Sequence, residues 1–295
     1  MTANSDNKKT KSGSGKKIKK FFLILFIVTV LVFTGKLFFV QSVIVANNFM
    51  NGSLTSGDVV IVNKSAYKLK TPETIPFLSR KMKTKVLIDF DIPEYGDIIY
   101  IKMQNPNIYN LKNLFSRCIA LPGDTLIIRD KKIFVNREEV LFSKNVSHNR
   151  SYSIPFGVEE KEFYFGSKGW NQDNFGPIIL PKKGDRIKLT LKNFDLVKDI
   201  IQSENKYLSV TKNENKILLG GEPEKYYKIK DNYYFVLGDN RDIAIDSRYI
   251  GFIKESSIIG KAEFVLFSLD NENFESKNET SFNSIKWDRF FQILK

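Results

Sequence analysis

Three short segments of the sequence combine charged side chains with glycine, proline and hydroxyl residues at close spacing. Residues 238–248 read Gly-Asp-Asn-Arg-Asp-Ile-Ala-Ile-Asp-Ser-Arg, residues 117–124 read Arg-Cys-Ile-Ala-Leu-Pro-Gly-Asp, and residues 50–58 read Met-Asn-Gly-Ser-Leu-Thr-Ser-Gly-Asp. Carboxylate and guanidinium groups form strong, directional ion pairs where they meet. We therefore expect the Asp and Arg side chains of these segments to hold neighbouring strands together.

The residues that form disulfides or bind zinc are almost missing from the chain. Cys118 is its only cysteine, which excludes an intramolecular disulfide, and His148 is its only histidine, which excludes the usual zinc arrangements. His148 lies in a polar stretch that is typical of a solvated loop. The sequence predicts no metal and no cofactor.

The elements that must position these segments are mainly strands. Short runs rich in Val, Ile, Phe and Tyr recur between Gly, Asp, Asn and Pro turns. This pattern predicts a mainly β, barrel-like domain over residues 41–270, with a long insertion at about 136–232 and a tail at 271–295. The predicted strands are Val59–Val62, Ile98–Met103, Thr125–Ile128, Lys132–Val135, Ile187–Leu191, Tyr233–Leu237 and Ala262–Ser268, and helix is predicted at Phe194–Glu204 and near Trp287.

One apolar run before this domain predicts a membrane anchor. Residues 21–40 supply the roughly 20 residues that cross about 30 Å of hydrocarbon as a helix. Residues 1–20 carry seven lysines and only Asp6 as an acid, which is +6 of the total charge of +13. The positive-inside rule places this basic tail in the cytoplasm and the β domain on the outer face. A signal peptide cleaved near Ala46 is the competing interpretation.

The basic character of the chain does not favour a nucleic-acid partner. No nucleic-acid recognition motif is present, and the strongest basic run lies beside the predicted anchor, where attraction to anionic lipid explains it better. We predict membrane lipid as a partner and no nucleic acid.

The three segments, in this order, resemble the conserved boxes of bacterial type I signal peptidases. The family's boxes read S-M-x-P-T-L-x-x-G-D, R-x-x-x-L-P-G-D and GDNR…DSR. The resemblance implies a β-barrel domain after one transmembrane helix in the bacterial inner (cytoplasmic) membrane. It also implies a serine endopeptidase that cleaves signal peptides from preproteins, with a serine nucleophile and a lysine general base.

The residues that carry the family's chemistry differ in this sequence. The nucleophile position is Phe49 and the base position is Ser116. The serine that supports the lysine falls on Ala244, the oxyanion-hole hydroxyl falls on Asn47, and the proline of the first box falls on Gly52. The expected scaffold residues are present: Met50, Arg117, Asp239, Asn240, Arg241, Asp246, Ser247 and Arg248.

We therefore predict little or no peptidase activity. Ser53 and Lys112 are poor substitutes, because four residues of extended strand separate each from its family position by roughly 13 Å. An inactive protein with this fold is expected to bind signal peptides or preproteins, to modulate an active signal peptidase paralogue, or to do little. The alternative is an active signal peptidase that uses a displaced serine and lysine pair.

Overall fold

The chain begins with a long apolar helix that leads directly into the β domain. The computed structural model describes residues 12–72, 74–75, 78–81, 84–103, 109–141, 144–160, 162–165, 169–213, 216–269 and 285–294. In the first helix, α1 (Ser12–Phe38), the span Lys17–Phe38 is long and apolar enough to cross a membrane, and none of its most apolar window is buried. The prediction that this helix ends at Val40 is wrong by two residues, because Val40 already pairs with Asn63 in a strand.

The helix is tied to the β domain at its C-terminal end. Lys64 Nζ donates to the carbonyl oxygen of Leu37 at 2.6 Å. The last carbonyls of a helix have no partner within the helix, so this contact satisfies one of them. Burial lowers the pKa of Lys64 below its ordinary value. The elements of this first part are α1 (Ser12–Phe38), β1 (Val40–Ile44), β2 (Asp58–Asn63), β3 (Lys68–Lys70), β4 (Thr74–Ile75), β5 (Leu78–Lys81), β6 (Val86–Asp89), β7 (Ile98–Lys102), β8 (Asn113–Ala120), β9 (Thr125–Arg129) and β10 (Lys132–Val135).

The rest of the chain forms an insertion and then returns to the main sheet. The insertion elements are β11 (Glu138–Glu139), β12 (Phe175–Ile179), β13 (Arg186–Lys188), α2 (Phe194–Glu204), β14 (Val210–Asn213), β15 (Lys216–Leu219), β16 (Glu222–Glu224) and β17 (Tyr226–Lys228). The returning elements are β18 (Tyr233–Leu237), α3 (Ser247–Ile250), β19 (Ile253–Lys254), β20 (Ile258–Leu269), β21 (Ile285–Lys286) and β22 (Gln292–Ile293).

A curled antiparallel sheet forms the centre of the molecule. Its strands follow the order β1-β2-β20-β7-β8-β18-β19, and β21 and β22 both pair with β20. The predicted mainly β fold preceded by one apolar helix is confirmed. Strand β8 was missed in the sequence, although it forms the centre of this sheet. Seven of its eight residues are buried, including the polar Ser116 and Arg117, so its sequence shows neither the alternation of a half-buried strand nor a continuous apolar run.

The insertion has a hydrophobic core of its own that is shared with the main sheet. Aromatic side chains dominate it: Phe175 stacks on Phe235 of β18 with ring centroids 5.3 Å apart, and Trp170 packs edge-on against Phe175 at 4.9 Å. Helix α2 occupies Phe194–Glu204 as predicted and buries Val197 and Ile201 against the same core. The insertion is therefore packed onto β18 and fixes the ends of the strand that leads into residues 238–248.

The described part of the C-terminal segment folds back onto the sheet. Besides the pairing of β21 and β22 with β20, Arg289 Nε donates to the buried carboxylate of Asp58 at 2.8 Å. Arg289 Nη2 also donates to the carbonyl oxygen of Ser53 at 3.2 Å. Near Trp287 the chain forms one 3₁₀ turn, Trp287–Arg289, in place of the predicted helix. Residues 285–294 therefore brace the loop that follows β1.

Candidate active site

The loop after β1 carries the first group of predicted site residues. It folds into turns in which Ser53 and Leu54 both donate backbone hydrogen bonds to the carbonyl oxygen of Met50, at 2.9 and 2.8 Å. Met50 and Leu54 are buried and pin the loop to the core between the sheet strands. The assumption of an extended strand from Phe49 to Ser53 was wrong, because these turns shorten the path.

Ser53 is held in the site by charged partners. Its hydroxyl donates to Asp239 Oδ2 at 2.6 Å and accepts from Arg117 Nη2 at 3.0 Å. Ser53 is buried, so these are its contacts in place of water. A hydroxyl that is bonded to a carboxylate and a guanidinium has no neutral base beside it to take its proton.

Arg117 and Asp239 form the central ion pair of the site. Arg117 Nε donates to Asp239 Oδ1 at 2.8 Å and Nη2 donates to Oδ2 at 2.7 Å, which is the bidentate arrangement. Arg117 Nη1 donates to the carbonyl oxygen of Gly96 at 2.6 Å. Both side chains are completely buried. The pair connects β8 to the residues after β18, as the sequence predicted for Asp and Arg in these segments.

A second buried ion pair closes residues 238–248 on themselves. Arg248 Nε and Nη2 donate to the two carboxylate oxygens of Asp246 at 2.8 and 2.7 Å. Burial disfavours the charged guanidinium, but Asp246 outweighs this and raises the pKa of Arg248. Asp246 also accepts from the backbone of Gly238, and the Ser247 hydroxyl accepts from the backbone of Val236. The loop after β18 is therefore fixed at both ends.

Arg241 is a buried scaffold residue whose positive charge is poorly compensated by its surroundings. Burial and the nearby Arg248 lower the pKa of Arg241 to about 10. Its Nε atom is buried and has no hydrogen-bond partner within the described part of the chain. Asn240 is partly satisfied: its backbone donates to Phe49 O at 3.0 Å and its side-chain nitrogen donates to Asn48 O at 3.1 Å, but its Oδ1 atom is also buried without a partner among the described residues.

The positions predicted for the family's nucleophile and base lie on segments that approach Gly238. Leu237 is the last residue of β18 and pairs with Arg117 of β8, the residue that follows Ser116. A Cβ atom on Gly238 would stand 2.3 Å from Ala244 Cβ and 2.6 Å from Phe49 O. Real Cβ contacts are never this short, so the backbone of Phe49 and the side chain of Ala244 both pack close to this glycine. Ser116 lies on β8, the strand that pairs with β18 up to Leu237. The fold thus brings together three segments that are far apart in the sequence.

These gathered positions hold few groups capable of peptide hydrolysis. Phe49 has no nucleophilic atom. Ser116 is completely buried, and its hydroxyl has no hydrogen-bond partner among the described residues. Asn47 Oδ1 accepts a hydrogen bond of 3.3 Å from the backbone N–H of Phe49. An oxyanion hole needs free donors, and here an acceptor faces the donor at the nucleophile position.

Several contacts of the site could not be expected from the sequence. The segment Asn145–Arg150 runs beside residues 239–242: Ser147 donates to Asp239 O at 2.8 Å, and Arg241 donates to Ser147 O at 3.0 Å. Arg150 Nη2 donates to Asp242 Oδ1 at 2.8 Å. His148 is exposed in the same segment. These partners are about ninety residues apart, and no spacing or motif links them.

The family model described as "Signal peptidase, peptidase S26" matches residues 18–267. The chain therefore belongs to the signal peptidase S26 family.

Three relatives, each named Signal peptidase I, illustrate this similarity. One from Buchnera aphidicola subsp. Acyrthosiphon pisum is 30% identical over 279 residues, covering 91% of this chain and 80% of the relative. One from Buchnera aphidicola subsp. Schizaphis graminum is 27% identical, covering 92% of this chain and 79% of the relative. A third, from Pseudomonas aeruginosa, is 28% identical, covering 85% of this chain and 71% of the relative.

Proposed function

We propose that this chain is a membrane-anchored signal peptidase homologue that does not cleave peptides and instead binds the extended cleavage region of exported preproteins. The observation that carries the proposal is that Phe49 and Ala244 pack against Gly238, at the point where β18 ends beside the strand that carries Ser116. The scaffold that positions a peptidase site is present, whereas the residues at the reacting positions cannot attack or activate.

The missing chemistry is a matter of the functional groups. A serine hydroxyl attacks a peptide bond only when a nearby base removes its proton, and a lysine serves as that base only when desolvation lowers its pKa. Phe49 supplies neither group, and a serine hydroxyl at position 116 is a poor base. Loss of both groups of such a pair removes many orders of magnitude of rate.

Little around the site favours a catalytic serine and lysine pair that is displaced from the family's positions. The hydroxyl of Ser53 is bonded to Asp239 and Arg117. Among the described lysines, burial lowers the pKa of Lys64 and Lys70, which are the best candidates for a neutral amine. Both donate to backbone carbonyl oxygens, of Leu37 and Ile258, instead of to a serine hydroxyl.

Retention of peptide binding follows from the state of the scaffold. The two buried ion pairs, Arg117 with Asp239 and Asp246 with Arg248, keep the geometry of residues 238–248 without any catalytic group. Recognition of an extended peptide depends on backbone hydrogen bonds and side-chain pockets, neither of which needs a nucleophile.

The proposed setting is the outer face of the bacterial inner membrane. Helix α1 supplies the length for a single crossing, and the lysines before it favour a cytoplasmic N-terminus. A cysteine introduced at Glu139, which is exposed, should react with a membrane-impermeant maleimide in intact spheroplasts. Labelling only after lysis would contradict this orientation.

The experiment that tests the proposal is cleavage of a model preprotein by the purified full-length chain in detergent. We expect no cleavage by the natural chain and slow cleavage by the Phe49→Ser, Ser116→Lys double variant. Position 116 is completely buried, so a lysine there would be desolvated and its pKa lowered, as a general base requires.

The single variants Phe49→Ser and Ser116→Lys serve as matched controls, because each restores only half of the pair. Both should remain inert. Cleavage by the natural chain would refute the proposal and direct the search to a displaced serine and lysine. A labelled preprotein that fails to bind the natural chain would refute the binding part alone.

A further inference from the structure

A strand-like segment of the insertion lies along the site. This segment, Asn145–Arg150, is called the strap below. Ser147 forms a parallel bridge with Asn240, made by the hydrogen bonds from Ser147 N to Asp239 O at 2.8 Å and from Arg241 N to Ser147 O at 3.0 Å. The strap therefore occupies the carbonyl oxygen of Asp239 and the backbone N–H of Arg241.

These backbone groups lie next to the position of the missing nucleophile. Asn240, between them, donates its own N–H to Phe49 O at 3.0 Å. The other end of the strap lies over the loop that carries Phe49, where the Asn145 side chain donates to Ser53 Oγ at 3.4 Å. The strap thus contacts both segments that border residue 49.

Gly52 makes this close contact possible. It has a φ of +105°, and a Cβ atom there would lie only 2.2 Å from the carbonyl oxygen of Asn145. The family box has proline at this position, and proline fixes φ near −65°. A proline could neither adopt this backbone conformation nor leave room for the strap. The strap can therefore lie where it does only because glycine replaces the family's proline at position 52.

The far end of the strap is fastened by Arg150. Its backbone N–H donates to Asp242 Oδ2 at 2.8 Å, and its Nη2 atom donates to Asp242 Oδ1 at 2.8 Å and to Asp173 Oδ2 at 3.4 Å. Lys131 Nζ donates to Arg150 O at 2.6 Å. The two carboxylates are largely buried, whereas the strap residues Asn145, His148 and Asn149 are exposed. The strap is thus an exposed segment that is held by buried carboxylates.

We propose that the strap is an autoinhibitory segment, which must leave residues 239–241 before an extended peptide can pair beside residue 49. The inference rests on the proposed peptide-binding function and adds a control to it. An extended peptide gains its affinity from backbone groups of this kind. A site that is open only part of the time binds with an affinity reduced by that fraction.

The test compares four variants of the full-length chain in detergent with the natural chain. Gly52→Ala places a methyl group against Asn145 O, and Gly184→Ala is its control, because Gly184 has a similar φ of +97° with no atom of the described residues within 4 Å of the added Cβ. Arg150→Ala removes the side-chain part of the attachment, which is the bonds from Nη2 to Asp242 and Asp173, without backbone strain. Arg137→Ala is its control, because Arg137 is exposed.

The readouts are the affinity for a labelled signal-peptide cleavage-region peptide and hydrogen exchange at the amides of Ser147 and Arg241. We expect Gly52→Ala and Arg150→Ala to bind the peptide about tenfold more tightly, with faster exchange at both amides. The two controls should stay within about twofold of the natural chain. If Gly52→Ala fails to fold, Arg150→Ala still decides the result.

The possible failures are distinguishable. Equal affinity of all five chains would overturn the strap inference and leave peptide binding intact. Weaker binding by Gly52→Ala and Arg150→Ala would make the strap part of the binding surface, which also overturns it. Binding by none of the five chains would overturn both the strap inference and the binding function on which it rests.

Discussion

Two regions of the site differ sharply in how well their polar groups are hydrogen-bonded. The first is the ion-pair frame, which consists of Arg117 with Asp239 and Asp246 with Arg248. The second is the set of predicted reacting positions, which are Phe49, Ser116 and Ala244. In the frame, Arg117 and Asp239 are completely buried and make paired hydrogen bonds of 2.7 and 2.8 Å. At the reacting positions, Ser116 is equally buried, but its hydroxyl has no partner among the described residues. Phe49 and Ala244 contribute no polar side-chain atom.

The difference shows that the frame is required for stability, whereas the reacting positions are not. A buried charge without its partner costs several kcal/mol of stability, so the frame residues are needed for folding whether or not the protein is an enzyme. A nucleophile and its base add nothing comparable to stability. The frame can therefore persist whether or not the site is catalytic, and its presence is no evidence of activity.

The largest expected effect tests the frame. Asp239→Ala leaves Arg117 buried without a carboxylate and should reduce the free energy of unfolding by about 3–5 kcal/mol. Chemical denaturation of the purified chain measures this loss. Lys132→Ala is the matched control, because its pair with Glu139 is exposed and should contribute less than about 1 kcal/mol. A loss below about 1 kcal/mol for Asp239→Ala would contradict the assigned role of the frame.

A smaller effect is expected at the rim of the frame, where Arg150 meets Asp242. Burial opposes ionisation of Asp242, but the side-chain and backbone hydrogen bonds from Arg150 outweigh it and lower the pKa of Asp242 to about 2. A carboxylate with a lowered folded-state pKa stabilises the fold above its unfolded pKa of about 3.9 and loses that contribution as the pH falls through about 2.

Unfolding measured from pH 5 to pH 2 should therefore show a stability loss of at most about 2 kcal/mol from this pair. In Asp242→Asn that part of the pH dependence should disappear. Asp130→Asn serves as the comparison, because Asp130 is an exposed carboxylate near the same segment. An unchanged pH profile in Asp242→Asn would show that Arg150 does not hold this carboxylate in the folded state.

The last prediction contrasts two buried serines, of which Ser116 is expected to give the smallest effect. Ser53→Ala removes a hydroxyl that bonds both Asp239 and Arg117, and should cost about 1–3 kcal/mol. Ser116→Ala removes a hydroxyl without a partner among the described residues, and should be neutral or stabilise by up to about 1 kcal/mol. Thermal unfolding of the two variants provides the measurement. A reversal of this order would mean that the polar groups of the two regions are not satisfied as described.

The sequence was sufficient where a feature depends on neighbouring residues. The boundaries of β18 and α2 agree with the predicted Tyr233–Leu237 and Phe194–Glu204, because local apolar periodicity determines such elements. Strand β8 was missed because the buried polar residues Ser116 and Arg117 interrupt its apolar run, whereas every residue of the equally buried β18 is apolar or aromatic. Resemblance to the family boxes supplied the candidate positions, which spacing alone would not have identified.

By itself the sequence determined an apolar segment of membrane-spanning length and a set of strands and turns, and it supplied Phe49 and Ser116 as the predicted nucleophile and base positions. Only the tertiary structure decided which of these positions meet. Ser53 and Asp239 are 186 residues apart, and Arg150 and Asp242 are 92 apart. Local patterns record which face of an element is buried, but not which other element covers it. The convergence around Gly238 and the contact of Gly52 with Asn145 therefore become visible only when the sheet is assembled.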